Sequence, residues 1–162
     1  MNHPILDMHT AIAWDMDQTL IKGPNSDFFR RYIMTNPEKT HRVVTFRNKS
    51  WADDIFDELE YHGFHNARKL ISSIENCPEH WHDNYMIATL PRHASLRQKL
   101  LGEGRVTQKY LDECVHNFLR FKGARSKEIG CTVLVDDIPT WVMPGVNENG
   151  IAFVHALDPI HS

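Results

Sequence analysis

Short apolar segments alternating with helical patterns constrain this chain most. Five of them lie at residues 11–15, 41–46, 68–74, 131–136 and 151–155. Each is long enough for a strand and too short for a buried helix, and three are rich in Val and Ile. Runs of that composition suit parallel strands covered on both faces. Helical patterns fill the spaces between. "NSDFFRRYIM" offers a cap at Asn25 or Ser26 and places Phe28, Phe29, Tyr32 and Ile33 on one face. "SWADDIFDELEYHG" has Ser50 as N-cap with Asp53 three residues later, an apolar stripe of Ile55, Phe56 and Leu59, and a stop at Gly63. "TQKYLDECVHNFLRFKG" is capped by Thr107. Tyr110, Leu111, Cys114, Val115, Phe118 and Leu119 recur in it at helical spacing, and Gly123 would end it. Strands alternating with helices predict right-handed crossovers and a three-layer α/β/α, Rossmann-like parallel sheet. Residues 75–106 fit that scheme poorly and read as an insertion within one domain spanning 1–162. The insertion contains a loop, "ENCPEHWHDNY", and a helix in "RHASLRQKLLGEG".

The ends of these segments carry the chemistry. In an open parallel sheet, ligands bind at the carboxyl ends of the strands. The first segment ends in Asp15, with Asp17 two residues on. The second ends at Thr45, and the fourth ends in the pair Asp136 and Asp137. If these strands are neighbours, four acids and a hydroxyl share one small volume. Two like charges about 4 Å apart repel by roughly 4 kcal/mol at an effective dielectric near 20. Such a cluster calls for a cation or for retained protons. Oxygen-only ligands favour a hard ion, and Mg²⁺ is the natural choice.

These residues resemble the motifs of haloacid dehalogenase-like (HAD) phosphatases. "AWDMDQT" is similar to the D-x-D-x-T signature, "VVTF" to the strand ending in Thr or Ser, and "VLVDD" to the strand ending in an acidic pair. The resemblance implies a first strand lying between the second and the fourth, with a small cap or none. It implies Asp15 as the nucleophile, and Asp17 as the acid and base whose backbone carbonyl helps hold Mg²⁺. It further implies Thr45 as a donor to the phosphoryl group, and Asp136 and Asp137 as metal ligands. The family's remaining motif is a lysine or arginine before the fourth strand. Lys109 fits best, then Lys99 and Arg105, with Lys122 and Lys127 behind. Arg47 and Asn48 follow Thr45 and are candidates to touch substrate. Gln18 stands where many members have glycine.

The function this implies is Mg²⁺-dependent hydrolysis of a phosphate monoester through an aspartyl phosphate, on a phosphorylated small molecule or a nucleotide. Two alternatives stay open. A nucleic-acid or nucleotide end-processing phosphatase would line its site with Arg92, Arg97, Lys99 and Arg105. A phosphate-binding module would bind without turnover. The formal net charge of −3 advertises no nucleic-acid partner. No apolar run is long enough to span a bilayer, and the first residues lack the pattern of a secretion signal. Cys77, Cys114 and Cys131 are widely spaced, so a reducing cytoplasm is the expected setting. Cys77, His80 and His82 raise a zinc reading, but their spacing matches no strong ligand pattern. Trp81 and Tyr85 are expected to pack the insertion onto the body.

Overall fold

A computed structural model of the chain describes residues 1–49 and 54–160. Five strands, β1 (Ala11–Trp14), β2 (Thr40–Thr45), β3 (Ile71–Asn76), β4 (Val133–Asp136) and β5 (Ala152–His155), form one parallel sheet in the order β3-β2-β1-β4-β5. The first strand does lie between the second and the fourth. The helices are α1 (Ser26–Thr35), α2 (Ile55–Tyr61), α3 (Ala67–Leu70), α4 (Glu79–Thr89), α5 (Ala94–Gly102), α6 (Gln108–Glu128) and α7 (Pro139–Asn149).

Strand side chains alternate between two cores, one on each face. Ile12 and Trp14 join Phe29, Tyr32 and Ile33 of α1 and Ile55 and Leu59 of α2. Ala13 points the other way, with Phe118 and Phe121 of α6 and Val142 and Val146 of α7. Burial on both faces explains why β1 and β4 are unbroken apolar runs. β3 starts later than its apolar pattern suggests, because residues 67–70 form α3. As an edge strand it carries Ser72, Ser73, Glu75 and Asn76, and a half-solvated strand gives a weak apolar signal.

The cap at Thr107 is present: its side chain accepts a hydrogen bond from the Tyr110 amide. Ser50 and Asp53 lie outside the described residues. Gly63 follows the end of α2 in the left-handed conformation, as a helix stop should. Residues 79–89 are helical rather than a loop, and Trp81 and Tyr85 pack against the α6–α7 core. β3 runs to Asn76, so residues 75 and 76, expected in the insertion, belong to the sheet.

Gly123 does not end its helix. α6 continues to Glu128, and the left-handed residue that stops it is Gly130. Gly123 instead lets α6 lie directly on α7. A Cβ built there would sit 2.1 Å from the carbonyl carbon of Gly145. Overpacking of this kind costs about 1–3 kcal/mol or more. Gly123→Ala is therefore expected to lower the unfolding free energy by about that much, read as a lower urea midpoint at an unchanged m-value. Ala at Gly102, where a Cβ meets nothing within 4 Å, is expected to leave the midpoint near that of wild type.

Candidate active site

Strand register builds the site. In the parallel pairing of β1 with β4, Trp14 lies opposite Val135. The next residues, Asp15 and Asp136, are therefore side by side, one strand spacing apart. The Asp15 amide extends the ladder by donating to the Val135 carbonyl. Asp15, Asp136 and Asp137 bring one carboxylate oxygen each to within 4.8 Å of one another. Thr45, buried at the end of β2, lines the same cavity.

Lys122 lies between the acids. Its Nζ donates to Asp15 Oδ1 and to Asp136 Oδ2, each at 2.6 Å. The lysine is 1% exposed and Asp136 is 1% exposed, so this is a buried triad. The other oxygens are held too. Thr19 Oγ1 donates to Asp15 Oδ2 at 3.0 Å, and the Ile138 amide donates to Asp136 Oδ1 at 2.9 Å. Lys122 Nζ also lies 4.3 Å from the centre of the Phe46 ring.

Burial dominates the titration of the acids. It pushes Asp15 up to about 6 and Asp136 up to about 6, against the pull of Lys122. Burial also raises Asp137, which Asp15 opposes by a hydrogen bond. For Lys122, burial alone would lower the pKa, but the Asp136 and Asp15 carboxylates outweigh it and hold the ammonium above its ordinary range. These directions agree physically, because one cation serves two acids and compensates neither fully.

The expected lysine, Lys109, is not here. It is exposed on the first turn of α6, in a shallow groove with Asp112 and His116. Thirteen residues of helix place it about 20 Å along the axis from Lys122. The helix outruns the sheet, so its start is not level with the strand ends. Lys99, Arg105 and Lys127 do not line the cavity either. The signal for Lys122 was present in the sequence. It continues the buried stripe of Leu111, Cys114 and Phe118, where a lysine is out of place unless paired.

Asp17 is nearby but engaged elsewhere. Arg47 grips it with two hydrogen bonds, Nε to Oδ2 at 2.9 Å and Nη2 to Oδ1 at 2.6 Å. The remaining Nη1 of Arg47 pairs with Glu58 of α2. The hydrogen bonds to Asp17 raise the Arg47 pKa above its ordinary value. Asp17's carboxylate is accordingly outside the three-acid cluster. Asn48 is not in the carboxylate cavity. It lines a separate groove of about 1120 Å³ with Ile74, Trp81 and Phe121.

The cavity itself is about 430 Å³, at the small end for ligand pockets. Its floor is Asp15, Asp17, Thr45, Arg47, Lys122, Asp136 and Asp137. Its wall is Gln18, Phe46, His82, Ile138 and Trp141. The sequence reading missed the aromatic members and Glu58, because stripe residues look alike whether they face a core or a cavity. Arg92, Arg97, Lys99 and Arg105 do not line it. Among the described residues, the one cluster that could hold a metal is the acidic one, so Cys77, His80 and His82 do not converge. Burial pushes the Cys77 thiol up to about 12.

Compared with protein-family models and with curated proteins, the sequence gives no match. Among solved structures it is similar to the NMR structure of the core domain of "a putative phosphoglycolate phosphatase" from Streptococcus pneumoniae TIGR4. That likeness has 14% identity and covers 98% of this chain and 82% of that one, with a TM-score of 0.43. A likeness of that size says nothing about chemistry. No helix among the described residues is long and apolar enough to cross a membrane.

The triad makes a pH-dependent prediction. Asp15 and Asp136 bind their protons more tightly folded than unfolded, so their contribution to stability falls as pH rises from about 4 to about 6. Lys122 limits that loss. Lys122→Met is therefore expected to destabilise little at pH 5, where the acids are mostly protonated. At pH 8, with two unpaired buried carboxylates, it should cost about 3–5 kcal/mol. Thermal denaturation of both proteins at the two pH values measures the difference.

Proposed function

We propose that the chain is a Mg²⁺-dependent phosphatase of the haloacid dehalogenase type, which hydrolyses a phosphate monoester through a phosphorylated Asp15. One observation carries this reading: three carboxylates from the ends of adjacent strands converge on a buried lysine at the floor of a small cavity.

Mg²⁺ fits the donor set. Asp15, Asp136 and Asp137 would hold it through oxygen, the ligand type a hard ion prefers. Four carboxylates on the floor face two cations, Arg47 and Lys122, which leaves a negative excess for a divalent ion to offset. Bound there, the ion would lower the repulsion between an anionic nucleophile and an anionic ester.

The protein's own groups do the rest. Asp15 Oδ attacks phosphorus, and the bond from phosphorus to the ester oxygen breaks. Asp17 gives that departing oxygen a proton. Water then attacks the same phosphorus and passes a proton back to Asp17. The bond to Asp15 breaks, phosphate leaves, and both aspartates return to their starting state. Lys122 holds the nucleophile in line through its 2.6 Å hydrogen bond. Thr45, which lines the cavity, would offer its hydroxyl to a phosphoryl oxygen. Arg47 grips both oxygens of Asp17, so Asp17 must turn from Arg47 to reach the departing oxygen and the attacking water.

Turnover of a panel of phosphate esters tests the reading. Activity should need Mg²⁺, vanish with EDTA and return when the ion is restored. Asp15→Asn should lower kcat by on the order of 10⁶-fold, as loss of a nucleophile does in other hydrolases. Acid quench of wild type with labelled substrate should trap phosphate on the protein. A wild type inert across the whole panel, or an Asp15→Asn variant as active as wild type, would sink the proposal.

A further inference from the structure

The cavity's wall says what kind of ester it takes, provided the phosphatase reading holds. Phe46 just after β2, His82 of α4 and Trp141 of α7 bring three ring systems to the cavity lined by the acids and Lys122. None of the three is fully buried. Trp141 stands edge-on to Phe46, with ring centres 5.7 Å apart, which fixes both rings in place. The floor's cations are already committed, Lys122 to two acids and Arg47 to two more. The leaving group must therefore be held by uncharged contacts.

Gln18 supplies the polar contact. It is exposed, lines the cavity and has φ of +63°, a left-handed conformation that an L side chain seldom adopts. Glycine would sit there without that cost. Gly23 packs its backbone against this turn, since a Cβ at Gly23 would lie 2.0 Å from the Gln18 carbonyl oxygen. The turn is thus fixed, and a glutamine kept in it delivers an amide, both donor and acceptor, to the cavity mouth.

We propose that this wall is a specificity subsite for a small phosphate ester whose alcohol carries a flat heteroaromatic ring, the chemistry of a nucleoside monophosphate. The ring lies against Trp141, since Phe46 is already stacked on Phe118 and covered by Lys122, and the Gln18 amide pairs with its heteroatom edge. The cavity's volume and its negative floor favour a single small ester over a polyanionic strand.

Calorimetry on the Asp15→Asn protein with Mg²⁺ tests it, using adenosine 5′-monophosphate and its ringless counterpart ribose 5-phosphate. The ring-bearing ester should bind about 10-fold or more tightly, the size a base–aromatic stack supplies. Adding Gln18→Gly or Trp141→Leu should each pull that ratio toward one. Trp141 also packs on Phe118 and Tyr85, so its variant could fold poorly; Gln18 is exposed and keeps the test decisive. Equal affinity for the two esters, or a ratio unmoved in Gln18→Gly, overturns the subsite. So does faster wild-type turnover of a 5′-phosphorylated oligonucleotide than of the monophosphate. Turnover without ring preference sinks the subsite alone, whereas ring-selective binding with no turnover of any ester sinks the phosphatase reading alone.

Discussion

A single ammonium group shared between two buried carboxylates governs this molecule. Lys122 joins α6 to the ends of β4, which follows it in sequence, and of β1, where Asp15 lies 107 residues away. Taking three charges out of water is costly, and the triad persists because each partner would cost more alone. The next residue shows how the geometry is reached. Gly123 lets α6 settle against Gly145 of α7, and the same helical turn that makes this close approach aims Lys122 at the acids. Packing and electrostatics are therefore set by adjacent residues. Neither can be changed without disturbing the other.

The triad also leaves the site unfinished. One cation cannot balance Asp15, Asp136 and Asp137, and burial holds the first two near 6 rather than in the ordinary carboxylate range. In a site meant only for stability, two apolar residues would replace the excess acids at little cost. Retained acids in a cavity open to ligand are more economically explained by chemistry that needs them charged.

The strand ends and the acids were legible in the sequence because they depend on local facts, whereas the strand order was implied by the family resemblance. A strand buried on both faces must be apolar throughout, and its end is marked where the first charge appears. Asp15 and Asp136 both follow that rule. What failed depended on length and direction in space. Placing the lysine required knowing how far α6 outruns the sheet, and helical periodicity repeats without saying where a sheet lies beside it. Lys109 and Lys122 are thirteen residues apart on that helix, so only one can be level with the strand ends. Asn48 failed for a related reason, since the residue after Arg47 lines another groove. β3 was blurred because an edge strand is half solvated and carries serines.

The cavity divides its work between floor and wall, and the division has a physical logic. Aromatic rings beside the acids exclude water, and low dielectric strengthens every interaction on the floor. Phe46 belongs to both parts, since its ring faces Lys122 at 4.3 Å and Trp141 at 5.7 Å. Arg47 is the hinge between them. Its three nitrogens are occupied by Asp17 and Glu58. An arriving phosphoryl group is a further anion competing for that guanidinium. In the proposed reaction, drawing Arg47 toward that anion would free both Asp17 oxygens from their present partner, so the contact that engages the phosphate would also release Asp17 toward the leaving oxygen.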